Sequence, residues 1–372
     1  MRRSDKERRG KQCRKECKKG VGWQMGDVSK KVEWVLAASN AAGRNYVYSP
    51  ETEDGVEMTY NYFDDAIMNK WYAAGEYGTI SDAMILYVIM ITGAASPPVV
   101  SKIIELYGNA NKLLSVTRST DVVDAVESRI RALTKVGMLY RHAYKVEDGG
   151  ARRTVTLYGC PKAAQTFANV KLSKKVPVHT FEIASPLNSI ISEGAVAYAL
   201  SRTVEASGCR LLAFAEKNLR SSELGSFFLS PRTLLETPGG ERRDVLFYPA
   251  FLSQVPRYQT EIDFENALKN KVTELKNYFY SAKKREETEQ TYCVIVCEDA
   301  GDLNRTLILI RQTHVLTDFG NLPYSYLTSE GALRAAKDVR NAFLQLEEKP
   351  DGDLYFVQRV PEFFNLGGKG AC

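Results

Sequence analysis

"SRIRALTKVGMLYRHAYKVEDGGARRTVTLYG", residues 128–159, passes from one periodicity to another. Upstream of it and into it, Val122, Val123, Val126, Ile130, Leu133 and Val136 recur at helical spacing. Ser119-Thr120-Asp121 supplies the start, since short polar side chains accept from the free N–H groups of a first turn. Gly137 is a natural stop. Two short alternating stretches follow, joined by Glu147-Asp148-Gly149-Gly150, and read as a hairpin. Arg141, His142, Lys145, Arg152 and Arg153 stud it.

Before this stretch, Ser81-Asp82 opens a helix through "AMILYVIMITGAAS". Pro97-Pro98 ends it, and Pro98 fits the first turn of the next helix, "PVVSKIIELYG". Three helices and a two-stranded hairpin predict a winged helix-turn-helix. Such a unit places its third helix in the major groove and its hairpin on neighbouring phosphates. Ser128, Arg129, Arg131, Thr134 and Lys135 on the helix are the candidate contacts to double-stranded DNA, with Arg141, Lys145, Arg152 and Arg153 on the hairpin. A winged helix also serves protein contacts or dimerisation, which is the alternative reading.

Charge is unevenly spread over the 372 residues. The first twenty hold ten Lys/Arg against Asp5, Glu7 and Glu16, a net +7, while the whole chain carries +5. Residues 1–30 therefore read as a disordered basic arm, able to hold phosphates or simply to be solvated. The longest apolar run, Ala83 to Ile91, is too short to span a bilayer, so no membrane contact is expected. No apolar signal core follows the basic start, and a reducing cytoplasm is expected.

From about residue 173 the pattern becomes that of an α/β domain. "VPVHTFEI" reads as a strand and Leu187 to Ser207 as a long helix. Strands follow at "RLLAFAE", "RDVLFYP" and "RYQTEIDF", then a helix over 265–280 and a strand at "TYCVIVCE". "RTLILIR", 305–311, is expected as a further strand, and a helix is expected near Glu330 to Glu347. Carboxylates from adjacent strands that converge at one sheet end can hold Mg²⁺ and activate water. Asp244 and Glu261 are the candidate metal ligands, with Asp263 beside them.

This second half resembles the PD-(D/E)xK nuclease core, which implies a restriction-endonuclease-like domain with Mg²⁺ if it is active and no cofactor otherwise. Arg243 stands where the motif has proline and Asp263 where it has lysine. Lys269, Lys271 or Lys276 could supply the missing cation. A degenerate, inactive core is the competing reading. The order of the segments, from winged helix through "VHTFEI", "FAE", "RDVLFYP" and "TEIDF" to "LKNYF", is similar to the replication-relaxation family of mobile genetic elements. The resemblance covers roughly residues 80–310, with His179, Asp244, Glu261, Asp263 and Tyr278 at matching positions. It implies DNA binding at a replication or transfer origin of a plasmid or integrative element, where a relaxase or replication protein is a candidate partner. Winged helices often dimerise on paired half-sites, so a homodimer is the expectation. A metal-dependent DNA endonuclease or nickase, and a non-enzymatic regulator or adaptor, are the alternatives.

The expected organisation is a basic arm (1–30), an N-terminal extension (31–78), a winged helix (79–172), a nuclease-like α/β domain (173–348) and a tail (349–372). Three further motifs carry less. Cys13 and Cys17 form half a zinc site with no second Cys/His pair behind them. Cys293 and Cys297 sit four apart on a buried strand and read as small core residues. "GGKG" at 367–370 lacks P-loop spacing.

Overall fold

A computed structural model describes residues 30–41, 45–46, 80–115, 117, 119–148, 151–172, 187–214, 219–222, 225–228, 232–250, 290–312, 325–351 and 353–364. The helix of the opening stretch starts and stops where its sequence directs. Asp121 caps α5 (Val122–Lys135) by accepting from the N–H groups of Val123 and Asp124. At the other end Gly137 takes φ 77°, a conformation that costs a residue without Cβ little, and Met138 N–H reaches back to Leu133 O.

Three helices precede α5 in the first half: α2 (Ile80–Thr92), α3 (Pro97–Leu106) and the short α4 (Ala110–Leu114). α2 is apolar on all sides and is wrapped by its neighbours, which is why eight of the nine apolar residues Ala83–Ile91 are buried. The hairpin is β2 (Tyr140–Asp148) paired antiparallel with β3 (Ala151–Gly159) in unbroken register, Tyr140 opposite Gly159 and Asp148 opposite Ala151. Ala95, between α2 and α3, bridges Tyr158 through both backbone hydrogen bonds. β1 (Asn45–Tyr46) adds to the far edge of β2. α6 (Lys162–Leu172) closes this half by packing on α2.

α7 (Leu187–Ser207) begins and ends where its pattern does. It lies between the halves, touching α2, α3 and β3 on one side and β8 and β9 on the other. Gly194 makes the approach to the hairpin close, because a Cβ there would meet the Leu157 side chain at 2.6 Å.

The second half is built on a seven-stranded mixed sheet of order β12-β11-β10-β9-β8-β7-β4. β4 (Arg210–Phe214), β7 (Arg232–Glu236) and β8 (Arg242–Ala250) form an antiparallel meander. β9 (Gln290–Cys297) runs parallel to β8, and β10 (Ser325–Ser329) parallel to β9. β11 (Leu344–Glu348) and β12 (Leu354–Gln358) return antiparallel at the edge. A separate small hairpin pairs β5 (Leu219–Ser222) with β6 (Gly225–Phe228). The architecture is mixed α and β, as expected.

The structure differs from four of these expectations. "RTLILIR" belongs to helix α8 (Ala300–Gln312), not to a strand. Asp299 starts that helix, its carboxylate accepting from Asp302 N–H at 2.9 Å, and Asp302, Leu303 and Thr306 form a one-sided buried face. The helix expected over 330–347 is only α9 (Glu330–Ala335) and a 3₁₀ turn (Val339–Ala342), after which the chain becomes β11. The expected tail supplies β12 and a second 3₁₀ turn whose Phe363 is fully buried, stacked edge-on against Tyr292, Tyr326 and Phe343. The expected N-terminal extension likewise joins the second half. α1 (Lys30–Ala41) packs on α8, α9 and β12, with Ser329 Oγ donating to Ser39 Oγ at 2.7 Å. "VPVHTFEI", "RYQTEIDF", the 265–280 helix, the basic arm and "GGKG" lie outside the described residues.

Candidate nucleic-acid interface

The solvent-facing stripe of α5 follows from what the other face must bury. Ala125, Val126, Ile130 and Leu133 point into the core, which leaves Asp124, Ser128, Arg131 and Lys135 outward at three- and four-residue spacing. Sign changes along the stripe. Asp121, Asp124 and Glu127 occupy the first half, where they suit the helix dipole, and Arg131 and Lys135 the second. Positive potential is therefore concentrated at the hairpin end.

Arg131 is well exposed, its side chain 74% accessible, and meets only Glu127 at 3.2 Å among the described ion pairs. Such a surface pair is weak and easily exchanged for a phosphate. Arg129 is different. Its guanidinium grips the fully buried carboxylate of Asp82 with two bonds, Nε to Oδ1 at 2.8 Å and Nη2 to Oδ2 at 2.7 Å. Arg129 therefore ties α5 to α2 and does not reach outward, which corrects its reading as a DNA contact. Thr134 donates its hydroxyl to Ile130 O at 2.8 Å and is half-buried. Ser128 and Lys135 stay exposed.

On the hairpin, Arg141 is half-buried opposite Tyr158. Burial pushes the Tyr158 hydroxyl above its ordinary range, with Arg141 and Arg131 pulling the other way, so it remains an O–H donor. The backbone positions of Lys145, Arg152 and Arg153 fall on paired strands near the hairpin tip, while their side chains lie outside the described residues. His142 does not face solvent. It is fully buried, neither ring nitrogen has a hydrogen-bond partner among the described residues, and burial lowers its pKa to about 4.

In the second half only Asp244 of the candidate catalytic and metal residues is described. It sits on β8 at 1% exposure, with Leu234 of β7 on one side and Thr291 of β9 on the other. Both sheet positions beside Asp244 are thus filled by β7 and β9. Glu261, Asp263, Lys269, Lys271, Lys276, His179 and Tyr278 fall outside the described residues. Among the described residues no three His, Cys, Asp or Glu side chains converge as a metal-binding group. Arg243 is anchored instead of exposed, donating to Glu362 O at 2.8 Å and to Glu241 at 3.1 Å. Cys293 and Cys297 are buried and their thiols are held protonated by burial.

α7 and α9 contribute a further surface beside α5. Arg202, Glu205 and Arg334 line a cleft with Lys102, Arg131 and Tyr158. Only the crossing of α7 over the hairpin brings these residues together, and no local motif announces it. No helix among the described residues is long and apolar enough to cross a membrane. Compared with known proteins, the chain matches no family model, no curated protein and no solved structure.

Proposed function

We propose that the chain is a DNA-binding protein acting at a replication or transfer origin of a mobile element, through a winged helix formed by α2, α3, α5 and the β2–β3 hairpin. The observation that carries this reading is the order helix, bridge, helix, short helix, helix, hairpin, with Ala95 bound to Tyr158 as a short third strand beside β3. Ser128, Arg131 and Lys135 give α5 an exposed polar face toward the hairpin end, suited to a groove edge and its phosphates. The basic arm would add charge that steers the chain to DNA.

For the second half, the sheet supports a restriction-endonuclease-like reading. α7 leads into a three-strand meander, and a fourth strand lies parallel to the third, as such a core requires. The burial of Asp244 between two filled strand positions favours an inactive core over a Mg²⁺-dependent one. In the active reading, Asp244 and Glu261 would hold the ion and one lysine of Lys269, Lys271 and Lys276 would approach the phosphate.

Gel-shift titration with duplex fragments tiling the DNA around its own coding sequence tests the first reading. One fragment is expected to shift at lower protein concentration than the rest. Uniform failure to shift would sink it. Incubation of supercoiled plasmid with Mg²⁺ or Mn²⁺ separates the second readings: intact plasmid is expected, and nicking that disappears in Asp244→Asn would establish the nuclease instead. Sequence-specific binding without cleavage also fits a regulator or adaptor, which a search for co-purifying replication proteins would distinguish.

A further inference from the structure

An open cleft of about 620 Å³ separates α3, α5 and β3 from α7 and α9. Four cations reach it from four helices: Lys102 from α3, Arg131 from α5, Arg202 from α7 and Arg334 from α9. Two carboxylates line it, Glu127 and Glu205. Glu205 is shared, accepting from Lys102 Nζ at 3.1 Å and from Arg202 Nη1 at 3.0 Å. Lys102 is also held by Glu105 at 2.8 Å, behind the lining, so among the lining side chains themselves four cations face two carboxylates.

The geometry of the individual groups points the same way. Arg202 Nε is buried in the wall and has no hydrogen-bond acceptor among the described residues. A guanidinium donor left in that state is destabilising, which favours a shift of Arg202 toward an oxygen ligand in the cleft. Arg334 is held in place by its own carboxylate, Glu330, at 2.6 Å and by the Tyr198 ring, 4.4 Å from its carbon to the ring centroid. Arg131 is opposed only by the loosely held Glu127 among the described ion pairs. Planar guanidinium forks match tetrahedral oxyanions with two parallel hydrogen bonds, which a lone lysine cannot do.

We propose that this cleft is a phosphate-binding site, in which phosphate oxygens take Arg202 from Glu205 and share Lys102 with its carboxylates. The proposal goes beyond DNA recognition by α5 and shares only Arg131 with it. Its phosphate belongs either to the backbone of a bound nucleic acid or to a free phosphate compound. Because the walls come from both halves of the chain, occupancy would also tighten α3 and α5 against α7 and α9.

Two titrations of the full chain decide it, each run on wild type, Arg202→Gln and Arg202→Lys. Inorganic pyrophosphate is followed by calorimetry, and a fluorescent 20-base-pair duplex by anisotropy. Pyrophosphate binding at one site, weakened at least tenfold in Arg202→Gln and partly restored in Arg202→Lys, is expected. If duplex affinity also falls, with a salt slope smaller by about one, the phosphate is that of DNA. If duplex affinity is unchanged, the ligand is a free phosphate compound. A chain that ignores DNA but binds pyrophosphate through Arg202 would remove the DNA reading and leave the cleft standing. Absence of pyrophosphate binding to wild type, or binding indifferent to Arg202, overturns the proposal. The wild-type arm needs no variant to fold.

Discussion

Two residues of the opening stretch, both polar in the sequence, turn out to be structural. Arg129 faces a carboxylate with no exposure, and removing one partner of a buried ion pair leaves the other charged and desolvated. Arg129→Ala is expected to cost about 3–5 kcal/mol in urea unfolding, and a loss below about 1 kcal/mol would show that the pair carries little. His142 gives a pH signature. Its folded pKa, about 4, lies below the ordinary 6.5, so the unfolded chain binds a proton that the folded chain refuses. Its contribution is whole above pH 6.5 and is lost as pH falls toward 4, by about 3 kcal/mol in all. His142→Phe should flatten that part of the stability profile; a slope unchanged in the variant would assign it to other groups. Neither role was legible beforehand. Alternation marks which strand face is inward only once the turn fixes the register, and a salt bridge 47 residues apart leaves no local trace.

At the scale of elements, segments whose ends carry their own chemistry were readable. Asp121 and Gly137 bound α5, and α7 fills its apolar pattern from Leu187 to Ser207. "RTLILIR" misled because its β-branched run fits a strand, while Asp299, the cap that commits it to a helix, stands outside the run. The β11–β12 hairpin was announced by Pro350-Asp351-Gly352 between two alternating stretches, a turn signal that went unread. Close packing of α1 on α9 depends on a missing side chain. A Cβ on Gly331 would stand 2.7 Å from Ala38 O and 3.1 Å from Ser39 O, backbone atoms that cannot step aside alone. Gly331→Ala should therefore destabilise the chain by about 1–3 kcal/mol despite the better helix propensity of alanine. A thermal midpoint equal to wild type would show that α1 can shift at no cost.

The molecule as a whole is less divisible than its sequence suggests. Both termini of the described chain, α1 and the Phe363 turn, build the second half, and α7 joins that half to the first. Phe363→Ala is expected to cost about 3–5 kcal/mol, as for other buried aromatics, by emptying the packing against Tyr292 of β9 and Tyr326 of β10. A change under about 1 kcal/mol would return residues beyond 349 to the status of a tail. The candidate catalytic set stays only partly readable, because Glu261 and the three lysines lie outside the described residues. DNA binding by α5 and the hairpin is the central claim. Its most direct measurement is fluorescence anisotropy of a labelled duplex with wild type and an Arg131→Ala/Lys135→Ala variant, across 50–200 mM salt as an order of magnitude. The account predicts tight wild-type binding that falls steeply with salt, and a variant about tenfold weaker whose slope is smaller by about two. Equal affinity and equal slope for the two proteins would contradict it.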